Sequence, residues 1–245
     1  MPPYKGPVEP KDPQEKPLDY AGFKALLIES VKKHPAPEVR LPGAIDTGEF
    51  GRTAQVALKE QLADPKEGER KYTVILSLDG ELLMTNKPAI GTDKEVASRY
   101  KVSVEKYPDA PQYNRIEEGA MSIHTHNIDL PPSAQDCSNM VVEQGEGGAV
   151  VAAMVATPGV SYLLLRSLEG VDLTKSRVEA NEWVKNLEVD SSGRINKLAA
   201  MATNSIEYAV KRREVAYSLL RQISAKYRLA VYTSPDGIIY AKTTL

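Results

Sequence analysis

The chain has only three histidines in 245 residues, and two of them, His124 and His126, stand two positions apart. On an extended strand residues i and i+2 project to the same face, so two imidazoles can converge on one ion without any bend in the backbone. The preceding run, Ala120-Met121-Ser122-Ile123-His124, has the composition of a strand, and it leads into a loop holding Pro131-Pro132. Asp136 follows His126 by ten residues, in the first turn of a segment, Ser133 to Val142, that reads as a helix with a serine cap. Two neutral imidazoles and one carboxylate form a three-ligand set with a fourth tetrahedral position left for water, the arrangement of catalytic zinc. Zinc held in this way lowers the pKa of water to about 7. Hydrolysis then needs a carboxylate to take the proton and a donor to meet the oxyanion, and Ser133 is placed for the second role.

The string His124-Thr125-His126, a loop, then Ser133-Ala134-Gln135-Asp136 resembles the metal motif of the JAB/MPN/Mov34 zinc metalloproteases, the JAMM motif. The likeness covers about Thr53 to Ser167. It implies that His124, His126 and Asp136 bind Zn2+, that Ser133 supports the transition state, and that a glutamate at the start of an early strand is the general base. The matching glutamates are Glu69 and Glu67, just before Tyr72. Glu69 is preferred because it would enter the strand on the side nearest the site, whereas Glu81 follows the hairpin turn at the opposite end. Two departures stand out: the loop between His126 and Ser133 holds six residues where the family usually has seven, and Asn127 occupies a position commonly taken by proline.

The resemblance further implies an α/β (α+β) fold, a mixed β-sheet flanked by helices, JAB/MPN-like and cytidine deaminase-like. The activity it implies is that of a deubiquitinase-like metallopeptidase or isopeptidase, cutting a protein or peptide substrate such as a ubiquitin-like protein tail. A non-catalytic MPN-like scaffold or assembly module, pairing with a partner or with itself through a long C-terminal helix, is the alternative.

Composition bounds these readings. Lys plus Arg number 31 against 33 for Asp plus Glu, so the net charge of −2 offers no general attraction to nucleic acid or to an anionic membrane. A hydrophobic content of 42% is enough for a proper core. The longest apolar run, Ala149 to Ala156, is far short of the roughly 20 residues that cross a bilayer, and the N-terminus is proline-rich rather than basic then apolar. A cytoplasmic protein without a signal peptide is expected. The single cysteine, Cys137, can form neither an internal disulfide nor a cysteine-based zinc knuckle, and it reads as a buried small hydrophobe.

The supporting elements follow from periodicity and breakers. Residues 1–20, proline-rich, read as a disordered tail. An amphipathic helix spans Phe23–His34, with His34 favouring the C-terminal dipole and Pro35 and Pro37 beyond it. A second helix covers Thr53–Leu62. Strands Tyr72–Leu78 and Glu81–Thr85 flank an Asp79-Gly80 turn, and Gly91–Gly119 is a long excursion beside which an extended substrate would add as a strand. Gly145–Gly148 turns into a buried hairpin, Ala149–Thr157 and Ser161–Ser167, the whole forming a metal domain over 21–170. The remainder, 171–245, packs on it: a helix capped by Asp172 or Thr174 and running to Leu187, a turn at Asp190-Ser191-Ser192-Gly193, a long helix over Ile195–Tyr227, and a closing hairpin of Leu229–Thr233 with Ile238–Lys242. Lys211-Arg212-Arg213 reads as a solvated helix face, and Trp183 as a packing anchor.

Overall fold

Alternating apolar side chains along the strands give the sheet two buried faces, and the fold follows from covering both. The computed structural model describes residues 16–32, 41–64, 68–77, 79–85, 88–90, 119–141, 150–166 and 177–245. Its elements are α1 (Tyr20–Lys32), β1 (Ala44–Asp46), α2 (Gly48–Ala63), β2 (Arg70–Leu76), β3 (Leu82–Met84), β4 (Ala89–Ile90), β5 (Gly119–Thr125), α3 (Ala134–Val141), β6 (Ala152–Ala156), β7 (Ser161–Arg166), α4 (Arg177–Met201), α5 (Ser205–Tyr227), β8 (Leu229–Ser234) and β9 (Ile239–Thr243). One mixed sheet of nine strands runs in the order β1-β9-β8-β7-β6-β5-β2-β3, with β4 also paired to β2. Every pair is antiparallel except β5 with β6. A parallel pair needs a long crossover, and the segment between β5 and β6 carries α3.

On one face, Met121 and Ile123 of β5, Met154 of β6 and Leu163 of β7 pack with Phe23 and Leu27 of α1 and Phe50, Ala54 and Leu58 of α2. Phe50 binds the two helices together, with ring centroids 5.4 Å from Tyr20 and 6.3 Å from Phe23, both edge-to-face. On the other face, Val155, Tyr162, Leu164 and Val231 pack with Ala134, Cys137 and Met140 of α3 and with Leu220, Ile223 and Tyr227 of α5. The cysteine is fully buried, as its composition suggested. Trp183 of α4 packs edge-to-face on Tyr227, with Lys226 over its ring. The strand alternation that sends Met121 and Ile123 to the first face sends Ser122 and His124 to the second.

Several boundaries differ from the sequence expectation. Leu18 bridges Ile45, its N–H donating to the Ala44 carbonyl at 2.9 Å, so the chain joins the fold before residue 20; residues 1–15 lie outside the described residues. α2 begins at Gly48 rather than Thr53, because the Asp46 carboxylate accepts from the Gly48 N–H at 2.8 Å and Phe50 extends the apolar stripe. β1 was not anticipated, being three residues long and held at the edge by β9. The closing hairpin joins the central sheet, β8 pairing with β7 and β9 with β1. Most of the Gly91–Gly119 excursion, Gly145–Gly148, His34, Pro35, Pro37, Glu67, Asp172 and Thr174 lie outside the described residues. Among the described residues, no helix is long and apolar enough to cross a membrane.

The expected turn at Asp190–Gly193 is helical, and the break falls instead at residues 202–204. There Asn204 accepts from the Glu207 N–H at 2.9 Å, while Thr203 donates to Glu207 Oε2 from both its N–H and its hydroxyl, a cap that Asp190-Ser191-Ser192-Gly193 does not supply. Each of those four residues lowers helix propensity by less than about 1 kcal/mol, which a continuous 25-residue helix tolerates. Gly193 is exposed, and a Cβ there would meet nothing within 4 Å. Gly193→Ala is therefore expected to stabilise the protein by about 1 kcal/mol, read as a rise of roughly 2–4 °C in melting temperature; a loss of stability would restore the turn.

Candidate metal centre

The site assembles at the end of β5. In the antiparallel pair, Lys71 lies opposite His124, and the register continues through Tyr72–Ile123, Thr73–Ser122 and Val74–Met121. Carrying that register two residues past the strand end brings Glu69 opposite His126. The Arg70 N–H donates to Thr125 Oγ1 at 3.0 Å, locking the entry of β2 to the residue between the two histidines. On the other side the parallel ladder holds the exit of β5, since the His126 N–H donates to the Ala156 carbonyl at 2.9 Å.

Both imidazoles are buried, His124 at 5% and His126 at 9% exposure, with ring centroids 5.1 Å apart. Asp136 reaches them from α3. Its Oδ1 is 3.0 Å from His124 Nε2, and its Oδ2 is 3.5 Å from His126 Nε2. Ser133 caps α3 in a reciprocal box: its hydroxyl accepts from the Asp136 N–H at 3.2 Å and donates to Asp136 Oδ2 at 2.8 Å, while its own N–H reaches the same oxygen at 2.6 Å. Asp136 thus has one oxygen fixed by Ser133 and the other turned to His124. The helix N-terminus also favours its charge.

One ligand atom from each of His124, His126 and Asp136 lies within 4.8 Å of the others, so the group can hold a metal ion. Two observations test the fit. Tetrahedral ligands at about 2.0–2.1 Å from zinc stand about 3.3 Å from each other, and Asp136 Oδ1 stands 3.0 Å from His124 Nε2, while the 3.5 Å to His126 Nε2 is measured from the other carboxylate oxygen. His124 Nε2 is also buried without a well-aligned hydrogen bond, although Asp136 is beside it. A buried nitrogen left in that condition costs free energy that a metal bond removes.

Glu69 Oε1 lies 3.8 Å from His126 Nε2, too far for a hydrogen bond and near enough to share a small molecule with the site. Burial raises its pKa above the ordinary carboxylate value, opposed by the attraction of His126 and His124. Burial also works against the charged form of Asp136, but His124 and His126 outweigh it and hold this carboxyl well below the usual range. For His126, burial lowers the pKa, yet hydrogen bonding and charge from Asp136, with Glu69 and the Leu130 carbonyl, raise it overall. Glu81 is exposed, beyond the turn at the far end of β2. Ser133 is exposed too, and its proton is already given to Asp136, so an oxyanion would have to draw that hydroxyl away. Burial and the neighbouring Asp136 push the Cys137 thiol far up, which leaves it no nucleophilic role.

Sequence reasoning missed one anchoring group. Arg213, assigned to a solvated face, reaches from α5 to the loop after His126: its Nη2 pairs with Asp129 Oδ2, and its Nε and Nη2 donate to the Asp129 carbonyl at 3.3 and 3.2 Å. Thr157 Oγ1 and the Val160 N–H meet Asp129 Oδ1 at 3.1 and 3.2 Å. Nothing in the local sequence marks Asp129 as the partner of a residue 84 positions later.

The direction of the His126 shift gives a pH test. A histidine whose folded pKa is raised contributes stability that is full below its unfolded value of about 6.5 and disappears as pH climbs through the folded value. With chelator present, the melting temperature is expected to fall as pH rises from about 6 to 8.5. Zinc affinity should rise over the same range, because the proton competes with the metal for Nε2. Parallel slopes would contradict this arrangement.

Neither a protein-family model, nor a curated protein, nor a solved structure matches this chain.

Proposed function

We propose that the chain is a zinc-dependent hydrolase of peptide or isopeptide bonds, acting in the cytoplasm on a protein or peptide substrate, with a ubiquitin-like tail as the substrate class the JAMM resemblance suggests. The observation that carries the reading is the convergence of His124, His126 and Asp136 with a separate, non-ligating carboxylate, Glu69, 3.8 Å from His126 Nε2. A structural metal site needs no such fourth group, whereas hydrolysis does. The JAB/MPN-like fold belongs to the same proposal. Support for it comes from the order of elements: a helix and hairpin before the motif, then a helix and a buried hairpin after it.

Zinc in this site supplies Lewis acidity that brings the pKa of water near 7. The residues do the rest. Glu69, made more basic by burial, takes a proton from the attacking water as the new C–O bond forms, then delivers it to the amine nitrogen as the C–N bond breaks. Ser133, exposed at the rim, turns its hydroxyl from Asp136 to the developing oxyanion. The Ser133 N–H stays on Asp136 and keeps that ligand oriented. Buried Thr125 and the β6 ladder hold the two imidazoles on one face while this happens.

A second reading, a scaffold or assembly module, draws support from Val189, Met201, Ile206 and Val210, which are exposed along α4 and α5. Light scattering with metal analysis separates the two, since an oligomer lacking zinc favours the scaffold. For the hydrolase, the purified chain is expected to carry one zinc and to cleave a peptide or isopeptide reporter. His126→Ala and Asp136→Ala should lose both metal and cleavage. Glu69→Gln should keep the zinc and lose activity by roughly 10²–10⁴-fold. A protein with no affinity for zinc would remove the proposal, and a fully active, zinc-bound Glu69→Gln would remove Glu69 as base.

A further inference from the structure

The loop joining the ligands His126 and Asp136 is tied by polar contacts to α5 and to the β6–β7 turn at Asp129. Its carboxylate and carbonyl both face Arg213 of α5, and its other carboxylate oxygen meets Thr157 and the Val160 N–H in the β6–β7 turn. The turn is fitted to it, because a Cβ on Gly159 would collide with the Asp129 carboxylate. Asp129 stands inside that loop, three residues after His126 and four before Ser133, and the Leu130 N–H closes back on the Ile128 carbonyl at 2.9 Å. At the near end of the loop the His126 ring turns Nε2 to Asp136 and Glu69. Groups that orient the ligands from outside tune a metal site, and their loss typically costs about 10–100-fold in affinity.

We propose that Arg213 is a positioning residue for the metal centre: by forking across the carboxylate and carbonyl of Asp129 it fixes the loop that carries His126 at one end and Ser133 and Asp136 at the other, and with it the spacing of the ligands. The inference rests on the metal-binding part of the reading above and adds that the C-terminal helix governs the quality of the site. The guanidinium is suited to this task because its planar donors engage two acceptors at once, which a lysine ammonium does not reproduce. Its side chain is 41% exposed, so replacing it leaves no cavity in the core.

The test uses the full chain, with cobalt(II) as a spectroscopic probe and zinc affinity measured by chelator competition. Arg213→Ala is expected to weaken zinc binding by about 10-fold or more and to change the cobalt d–d absorption. Arg213→Lys should fall between it and the unmodified protein, and Arg221→Ala, an exposed arginine on the same helix, should match the unmodified protein. The chelated protein should melt within about 4 °C of the unmodified chain throughout, which separates an effect on the site from one on the fold. Should Arg213→Ala not fold, Gly159→Ala pushes on Asp129 from the opposite side and carries the same expectation. Unmodified protein that binds zinc, together with an Arg213→Ala variant of equal affinity and identical cobalt spectrum, overturns this inference alone. Unmodified protein that binds no metal overturns it along with the metal reading.

Discussion

The register between β2 and β5 is the constraint on which the site depends. Side chains on a strand alternate between faces, so a slip of one residue would carry Glu69 to the face covered by α1 and α2 and leave His126 without a carboxylate opposite it. The register is held by apolar pairs on the covered face, Val74 with Met121 and Tyr72 with Ile123, all tied into the first core cluster. It is held again by the Arg70 N–H on Thr125 at the mouth of the site. Hydrophobic burial on one face thereby sets the spacing of polar chemistry on the other.

That chemistry is unfavourable in isolation. Two imidazoles and two carboxylates gathered in a largely buried patch need partners for their hydrogen-bonding groups, and a hydrophobic cluster of the same volume would serve stability as well or better. The protein meets most of the need locally. Ser133 takes one oxygen of Asp136, Asp136 and Glu69 lie beside the His126 ring, and the imidazoles hold the Asp136 charge. His124 Nε2 is the group left over, and it points at the other ligand atoms. The two cores on either side of the sheet supply the stability that this patch does not.

How much of this was legible in the sequence follows from how local each feature is. His-x-His on a strand and Ser-x-x-Asp at a helix start are set by the two shortest periodicities a chain has, so residue spacing alone brought His124, His126, Ser133 and Asp136 together. Glu69 was named through the JAMM resemblance, which implies a glutamate at the start of the early strand; the Asp79-Gly80 turn served only to set Glu69 and Glu67 apart from Glu81. The Arg213–Asp129 clamp was invisible because it joins segments 84 residues apart through tertiary packing, and a triplet of basic residues looks the same whether or not one of them has a partner. The Asp190–Gly193 segment was misread for the opposite reason: its turn-forming residues are a weak local preference overridden by a long helix, while the stronger Asn204 cap lay a few residues beyond. Short β1 and the glycine-rich start of α2 escaped because their structure comes from neighbours, β9 for the strand and the Asp46 carboxylate for the helix.

Burial, register and capping bring together two imidazoles and one carboxylate that can hold a metal ion, and the central proposal is that they share a single dication with an open position beside Glu69. X-ray absorption at the zinc edge on the loaded protein addresses it most directly. The account predicts four light-atom ligands at about 2.0–2.2 Å, two of them imidazoles, with no sulfur. A first shell containing fewer than two imidazoles, or one that includes the Cys137 sulfur, would contradict it.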